Sequence, residues 1–310
     1  MQHGASSGGP TNAGRAAAAT AIVLWSMGNV IVKHIDMSGT QVAFWRLLLG
    51  AVVYGAVFVA RGGTFDRRRF LLAAPTALAI SLEIVAFFVA IKATTVANTT
   101  VIGALAPLLL LVVAARRFRE RVDGVLVVAG LVAFVGVGMV VFGSTGRPVW
   151  SLRGDLLAVV AMVLFAAYFV FAKAARESLG TFELQTLTLI IGSVVLAPLA
   201  VIDADGRFDV PSAAQWPWIA LVLLVPGTGH LLMNWSHPHT HLTYTSMITL
   251  AIPVLSTSLA AWWLAESFGP RQAVGMVVVV AALAVVIRHD VRDRPLRLAP
   301  STIASPPPRE

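Results

Sequence analysis

The sequence predicts an all-α polytopic membrane protein in which ten transmembrane helices form two inverted five-helix repeats. Three observations predict this class: an apolar composition, ten apolar runs of membrane-spanning length, and a second half that repeats the first. Of the 310 residues, 57% are hydrophobic and 12% are charged, whereas soluble domains carry about 25% charged residues. The mean hydropathy of +0.82 therefore indicates a chain adapted to lipid.

Each apolar run is long enough to cross a membrane as one helix. A hydrocarbon core about 30 Å thick requires roughly 20 apolar residues per helix. The runs lack the alternating pattern of barrel strands, so only helices satisfy their backbone polar groups. The expected spans are 16–33, 40–60, 70–91, 97–115, 124–143, 154–173, 184–202, 216–235, 242–264 and 271–288.

The spans divide the chain into two repeats, 16–143 and 154–288, joined by the loop 144–153. The segment 1–15 is rich in Gly, Ser and Ala and lacks the basic start of a signal peptide, so the first run is expected to be a retained helix. That segment and the Pro-rich tail 289–310 are expected to be disordered and cytoplasmic.

The basic residues predict the orientation of the bundle. With the N-terminus inside, the inner loops and ends hold sixteen Lys and Arg, and the outer loops hold six. The positive-inside rule then places both termini in the cytoplasm. The expected location is the cytoplasmic membrane of a bacterium, because Arg greatly outnumbers Lys. The net charge of +8 is spread over many loops and does not indicate a nucleic-acid partner.

Two alignments carry the repeat. When "TVIGALAPLLLLVVAARRFRERV" is laid over "SMITLAIPVLSTSLAAWWLAESF", Pro107 meets Pro253 and Glu120 meets Glu266, both at an offset of 146. "LWSMGNVIVK" and "LFAAYFVFAK" align at an offset of 140, which superposes their terminal lysines. Because each half has five spans, the second half enters the membrane from the opposite side, as in many secondary transporters.

The ordered spans carry a family resemblance. "LWSMGNVIVK", the proline-centred spans ending "RFRERV" and "LAESF", and "GDLLAVVAMVLFAAYFVFAK" resemble the EamA-type transporters of the drug/metabolite transporter (DMT) superfamily. The resemblance covers roughly residues 16–288 and implies a ten-helix carrier of small metabolites, often an exporter, with both termini cytoplasmic. The turn "HPHTH" and Glu83 depart from the general pattern of the family.

Glu83 is the carboxyl group within the third apolar run, in "AISLEIVAFFVAIK". An ionised side chain at the bilayer centre costs about 3 kcal/mol on insertion scales, so it normally faces the bundle interior. Burial favours the protonated form of a carboxyl group, which makes Glu83 the candidate for proton coupling. The alternative is a hydrogen-bonded structural glutamate that ties two helices together.

The substrate-binding candidates are aromatic and polar side chains suited to a cavity with a few oriented groups. The repeat aligns Glu83 with Gly229, next to His230, and Pro226 with two glycines is expected to loosen or break that helix. Packing is the alternative role for each candidate. The candidates are Trp25, Asn29, Asn98, Tyr168, His230 and Asn234.

A second set of residues is expected to act in gating or architecture. Arg46, inside the second span, can bind a substrate carboxylate, pair with an acid or snorkel to the outer surface; we expect a structural role. Glu120 and Glu266 end related spans at opposite faces and are expected to anchor a hinge or gate. The terminal lysines, Lys33 and Lys173, complement helix dipoles. The residues expected to act in gating or architecture, apart from these two lysines, are Arg46, Pro107, Glu120, Pro253 and Glu266.

No catalytic, metal or cofactor site is predicted. His237, His239 and His241 in "HPHTH" alternate as metal ligands can, but the turn is short and no carboxylate lies nearby in sequence. The chain has no cysteine, so thiolate sites and disulfides are excluded. Motifs of hydrolases, metalloproteases and phosphate-binding loops are missing from the sequence, so an enzyme is not expected.

The predicted function is secondary transport of a small metabolite across the cytoplasmic membrane by alternating access. Export of amino acids or their analogues is the first expectation from the resemblance, driven by protons, with uncoupled exchange left open. A sugar-phosphate or nucleotide-sugar exchanger is one alternative, although the spans hold few cations for such substrates. A non-transporting membrane sensor is the other. The expected partners are the substrate, protons and the lipid bilayer, with the oligomeric state left open.

Overall fold

The computed structural model describes residues 11–33, 35–93, 96–142, 151–207, 209–264 and 269–292, and these residues are helical apart from short turns. Two 3-10 segments, His237–His239 and Ile248–Leu250, flank the tenth helix. The helices are α1 (Asn12–Lys33), α2 (Gly39–Ala60), α3 (Arg67–Ala93), α4 (Val96–Gly103), α5 (Ala106–Arg117), α6 (Gly124–Phe142), α7 (Leu152–Ala175), α8 (Thr181–Asp203), α9 (Trp216–Ser236), α10 (Leu242–Met247), α11 (Ala251–Leu264) and α12 (Pro270–Arg292).

Every predicted span coincides with one helix or one interrupted helix. Eight segments of the described chain are long and apolar enough to cross a membrane. The first predicted span corresponds to α1, and the fourth corresponds to α4 together with α5. The chain is therefore a multi-pass membrane protein, and the predicted helical fold class is confirmed.

Helix α1 begins at Asn12, earlier than the predicted start at residue 16. The Thr11 hydroxyl accepts a hydrogen bond from the Gly14 N–H (3.0 Å) and satisfies one of the free donors of the first turn. Arg15 in that turn pairs with Asp290 of α12 at 2.5 Å. The extra turn is thus held by contacts with a distant helix, and the outer ends, 1–10 and 293–310, lie outside the described residues.

Proline interrupts the fourth and ninth spans at corresponding places. A proline ring clashes with the carbonyl group four residues earlier. Helix α4 ends at Gly103, four residues before Pro107, and the 3-10 segment Ile248–Leu250 precedes Pro253. The two prolines are 146 residues apart, the offset of the repeat. The helix is therefore interrupted at equivalent positions in the two halves.

Pro226 behaves differently: the sequence predicts that it loosens or breaks its helix, and the break does not occur. Helix α9 continues through Pro226 from Trp216 to Ser236. A Cβ atom at Gly28 of α1 would lie only 2.8 Å from the Pro226 Cβ. Helix α1 therefore packs tightly against the continuous helix α9. Pro226 forms part of this contact between the two repeats.

The packing of the helices follows the inverted repeat. Helix α1 packs along α9, and its counterpart α7 packs along α3, the counterpart of α9. The helix pairs α2–α8 and α6–α12 join equivalent helices of the two halves. Exchange of the two halves therefore maps the main helix contacts onto one another, as expected for inverted five-helix repeats.

The apolar core has two main parts. One lies among α1, α2, α3, α7, α8 and α9 and includes Trp25, Phe44 and Phe169. The other lies chiefly between α6 and α12, where a Cβ atom at Gly275 would approach the Gly136 carbonyl oxygen to 2.7 Å. Small residues allow such close helix contacts in membranes. The α6–α12 pair is thus an apolar support, and the buried polar groups of interest lie in the first part.

Candidate functional site

Side chains from five helices meet in the interior of the bundle. The Arg46 guanidinium of α2 lies within electrostatic range of Glu83 on α3, Tyr168 on α7 and His230 on α9. The Trp25 ring of α1 lies 4.8 Å from the His230 ring, between centroids. We call these five residues the central cluster. It combines a cation, an acid, an imidazole and two aromatic rings in one place.

Arg46 is buried, with an exposed fraction of 4%. Within the described chain, its Nε atom has no hydrogen-bond partner. This position excludes snorkelling to the outer surface, one of the roles considered for it. A Cβ atom at Gly50, one turn further along α2, would lie 2.9 Å from methyl groups of Leu189 and Leu223. That glycine lets α2 approach α8 and α9 closely and holds Arg46 inside the bundle.

Glu83 lies on the buried face of α3. Its helical neighbours Thr76, Ala79 and Ala90 are buried, whereas Leu78 and Leu82 on the other face are exposed large apolar residues. The Glu83 side chain itself is half-buried. The small neighbours leave room beside the carboxyl group, and Arg46 is its cationic neighbour.

Aromatic rings form a wall on the side of the central cluster that contains Trp25 and His230. Trp25 makes edge-to-face contacts with Phe165 and Phe169, at centroid distances of 5.9 and 6.3 Å. A Cβ atom at Gly229 would lie 2.7 Å from Trp25 Cδ1, so the glycine lets the indole lie against α9. Neither Trp25 Nε1 nor His230 Nδ1 has a hydrogen-bond partner in the described part of the protein.

A hydrogen-bond chain fixes the phenol of Tyr168. The Tyr168 hydroxyl donates to Asn234 Oδ1 (3.0 Å), and Asn234 Nδ2 donates to Gln185 Oε1 (3.0 Å). All three side chains are buried. Asn234 therefore orients Tyr168 instead of presenting free amide groups. Sequence reasoning missed Gln185, although an amide near the start of an apolar span was a usable signal.

Some predicted residues have side chains outside the described part of the structure. Asn29 lies in α1 and Asn98 lies in α4, but their side-chain environments are not described. Glu266 lies outside the described residues altogether. The roles expected for these three residues stay predictions. Pro107 and Pro253 are both buried and mark the interrupted spans.

The carboxylate of Glu120 joins the two halves at one end of the bundle. It accepts hydrogen bonds from the backbone N–H groups of Leu242 (2.7 Å) and Thr243 (2.9 Å) and from the Thr243 hydroxyl (2.8 Å). Lys173 Nζ lies 3.1 Å from the same carboxylate. We call these four residues the Glu120 latch. Its side chains are largely buried, so little water competes with the ion pair.

A second ionic contact lies at the same end of the bundle. Asp290 near the end of α12 accepts from Arg15 Nε (2.6 Å), and His241 Nδ1 lies 2.9 Å from its other oxygen. This contact links α1, α12 and the segment that enters α10. Together with the Glu120 latch, it ties the two halves of the chain to each other at this end of the bundle.

The three histidines of the "HPHTH" turn point to different surroundings. His239 stacks on Trp235 at 4.3 Å, and His241 pairs with Asp290. His237 is buried edge-on to Phe169, at 5.4 Å. No group of three or more His, Asp or Glu side chains suited to a metal ion occurs in the residues that the structure describes.

A groove of about 410 Å³ lies between α3 and α7, outside the central cluster. Leu82 and Val160, which are exposed, take part in its lining. Since the lining is almost wholly aliphatic, the groove suits lipid chains better than a polar metabolite.

Comparisons with known proteins agree with the two-repeat architecture. The model of the EamA-like transporter family matches residues 12–142 and again residues 152–288. A protein of Synechocystis sp., described as an uncharacterized transporter, is 24% identical over 223 residues, which are 68% of this chain and 63% of that protein. The match thus spans less than two thirds of that relative.

Two further comparisons extend the likeness. A protein of Archaeoglobus fulgidus, also described as an uncharacterized transporter, is 25% identical over 192 residues, 61% of this chain and 67% of that protein. A crystal structure of a chain only 18% identical superposes with a TM-score of 0.75, over 91% of this chain and 98% of the other. At that identity, the likeness shows a shared fold.

Proposed function

Because this chain belongs to the EamA-like transporter family of the DMT superfamily, and is thus a membrane transporter and not an enzyme, we propose that it exports a small polar metabolite by alternating access. The central cluster carries the proposal. Charged and polar side chains inside a membrane bundle are costly and normally mark a substrate or ion pathway. Inverted-repeat carriers place such sites near the bilayer midplane, between the repeats.

The two ends of the bundle would open in turn. The positive-inside rule assigns the end with the Glu120 latch to the cytoplasm. In that orientation, the latch and the pair of Arg15 with Asp290 would keep the cytoplasmic end closed. Loading from the cytoplasm then requires the ion pair between Glu120 and Lys173 (3.1 Å) to separate and α10 to lose its carboxylate contacts. The latch is therefore the proposed cytoplasmic gate.

Glu83 is the proposed proton-coupling residue. Its carboxyl group lies inside the bundle beside Arg46, so gain or loss of a proton changes the net charge of the central cluster. If proton and substrate occupy this site alternately, an inward proton gradient drives substrate outward. Uncoupled exchange predicts the same fold but no response to a proton gradient.

Amino acids and their analogues are the proposed substrates. Trp25, Phe165 and Phe169 supply an apolar wall, while Arg46 and Glu83 supply opposite charges within reach of one small molecule. Sugar phosphates and nucleotide sugars carry several negative charges, and the central cluster contains a single arginine. One positive and one negative side chain therefore favour amino acids over sugar phosphates and nucleotide sugars as substrates.

The deciding experiment is flux into and out of liposomes that contain the purified full-length protein. Radiolabelled amino acids are offered with and without an imposed pH gradient. Export predicts movement of at least one amino acid against its gradient, with the direction set by the proton gradient. Binding without movement would instead identify a sensor, and flux that ignores the pH gradient would refute proton coupling.

A further inference from the structure

The central cluster contains two buried donors for which the described part of the chain offers no acceptor. Arg46 Nε and Trp25 Nε1 are both buried, and neither has a hydrogen-bond partner among the described residues. Unpaired buried donors cost roughly 1–3 kcal/mol each, and more when the donor is charged. Native proteins normally satisfy such groups. Both lie near His230: the Trp25 ring is 4.8 Å from the His230 ring, and Arg46 is within electrostatic range of it. The missing acceptor therefore suggests a ligand.

The nearest acid does not fill this role. Glu83 is the only carboxylate that acts on Arg46 within the described chain, yet no ion pair within 4 Å joins the two among the described residues. Two tyrosines also lie within electrostatic range of Arg46. The Tyr168 hydroxyl already donates to Asn234, and Tyr54 does not accept from Arg46 Nε, which lacks a partner among the described residues. Arg46 is therefore a buried cation whose Nε atom has no protein acceptor among the residues that the structure describes.

We propose that Arg46 and Trp25 form a recognition site for the carboxylate of the substrate, with Glu83 left to face its cationic group. A guanidinium can bind a carboxylate through two parallel hydrogen bonds, which gives geometric selectivity as well as affinity. The indole N–H adds a third, neutral donor. This inference rests on the proposed function and assigns Arg46 as its specificity-determining residue.

The assignment replaces the structural role expected for Arg46 from the sequence. A structural arginine would be satisfied by its own protein and would stabilise the fold in the absence of any ligand. A recognition arginine is instead left unsatisfied until the ligand arrives, at the expense of stability in the free protein. The two roles therefore predict opposite changes in stability when Arg46 is removed.

Binding to the purified full-length protein in detergent tests the selectivity. The probes are the twenty standard amino acids, and each one that binds is compared with its methyl ester at a slightly acidic pH, where the ester keeps the ammonium group and lacks only the carboxylate charge. The native protein should bind the acid at least about tenfold more tightly than the ester. Arg46→Met should bind acid and ester equally, and Arg46→Lys should keep only part of the difference. Undiminished selectivity in Arg46→Met would overturn the proposal.

Thermal stability of the ligand-free protein gives a second test that requires no substrate. Arg46→Met should keep the native apparent Tm or raise it. A fall in Tm of about 3 °C or more, equivalent to about 1 kcal/mol, would overturn the proposal. The double variant, which adds Glu83→Gln to Arg46→Met, then shows the cause of the fall. Restoration of the Tm would identify a structural ion pair between the two residues.

The two tests separate this inference from the proposed function. Selective binding without flux would refute transport and leave the carboxylate site standing. Flux of an amino acid with equal affinity for its ester would support transport and refute the site. If no amino acid binds, the amino-acid assignment fails and the Tm of Arg46→Met decides the role of the arginine.

Discussion

Glu120 and Lys173, which belong to different repeats, form an ion pair of 3.1 Å whose carboxylate also binds the backbone at the start of α10. The ninth span, to which α10 belongs, is thereby held against the end of the fourth span. Removing one partner of a largely buried pair leaves the other charge unsatisfied, and such changes are strongly destabilising. The contact is therefore well placed to control closure of one end of the bundle.

Glu120→Ala should open that end more often. Because the chain lacks cysteine, a single Ala172→Cys substitution, at a buried position one residue before Lys173, reports accessibility. In inside-out vesicles, its labelling rate by a water-soluble maleimide should rise about tenfold, equivalent to about 1.4 kcal/mol. Glu177→Ala, at an exposed glutamate, is the matched control. Equal labelling in both backgrounds would argue against the latch.

Glu83→Gln should separate substrate movement from proton movement. The amide keeps the size of the side chain but binds no proton at any physiological pH. Accumulation driven by a pH gradient should fall to background, while exchange of labelled for unlabelled substrate continues at a substrate concentration raised to offset the lost contact with the ammonium group. The measurement is flux in the same liposomes under both conditions, with Glu177→Gln as control. Wild-type accumulation in Glu83→Gln would exclude this residue as the coupling site.

Tyr168→Phe should lower substrate affinity without disrupting the fold. The change removes the hydroxyl that donates to Asn234 at 3.0 Å, and such a bond contributes about 1 kcal/mol. We expect a severalfold rise in the Kd for substrate and a fall in Tm of a few degrees at most. An unchanged Kd would limit Tyr168, Asn234 and Gln185 to packing.

Glycine substitutions in α9 should differ sharply in effect. A Cβ atom at Gly229 would lie 2.7 Å from Trp25 Cδ1, whereas the nearest atom to a Cβ at Gly227 would be 3.5 Å away. Overpacking costs about 1–3 kcal/mol, so Gly229→Ala should lower the Tm in detergent. Gly227→Ala should be neutral or slightly stabilising, because alanine is the better helix former. Similar Tm values for both would contradict the close α1–α9 contact.

Much of the architecture was predictable because it depends on local composition. Helices in lipid must satisfy their own backbone groups, so the apolar runs located the spans, and the repeat located equivalent helices. It was harder to predict which prolines interrupt a helix. Pro107 and Pro253 lie at interruptions, whereas the helix continues through Pro226. Each proline removes the same hydrogen bond, and only the packing of Pro226 against Gly28 distinguishes its surroundings.

The composition of the site depended on contacts between distant segments. The sequence by itself determined the ten spans, their inverted repetition and the presence of an acid inside the third span, since each follows from apolar length, residue spacing and the cost of charge in lipid. Only the tertiary structure decided that Arg46 lies within electrostatic range of Glu83, that Gln185 binds Asn234, and that Glu120 pairs with Lys173. The physical reason is that helix rotation and partner choice are set by side-chain packing across the bundle, which no local pattern records.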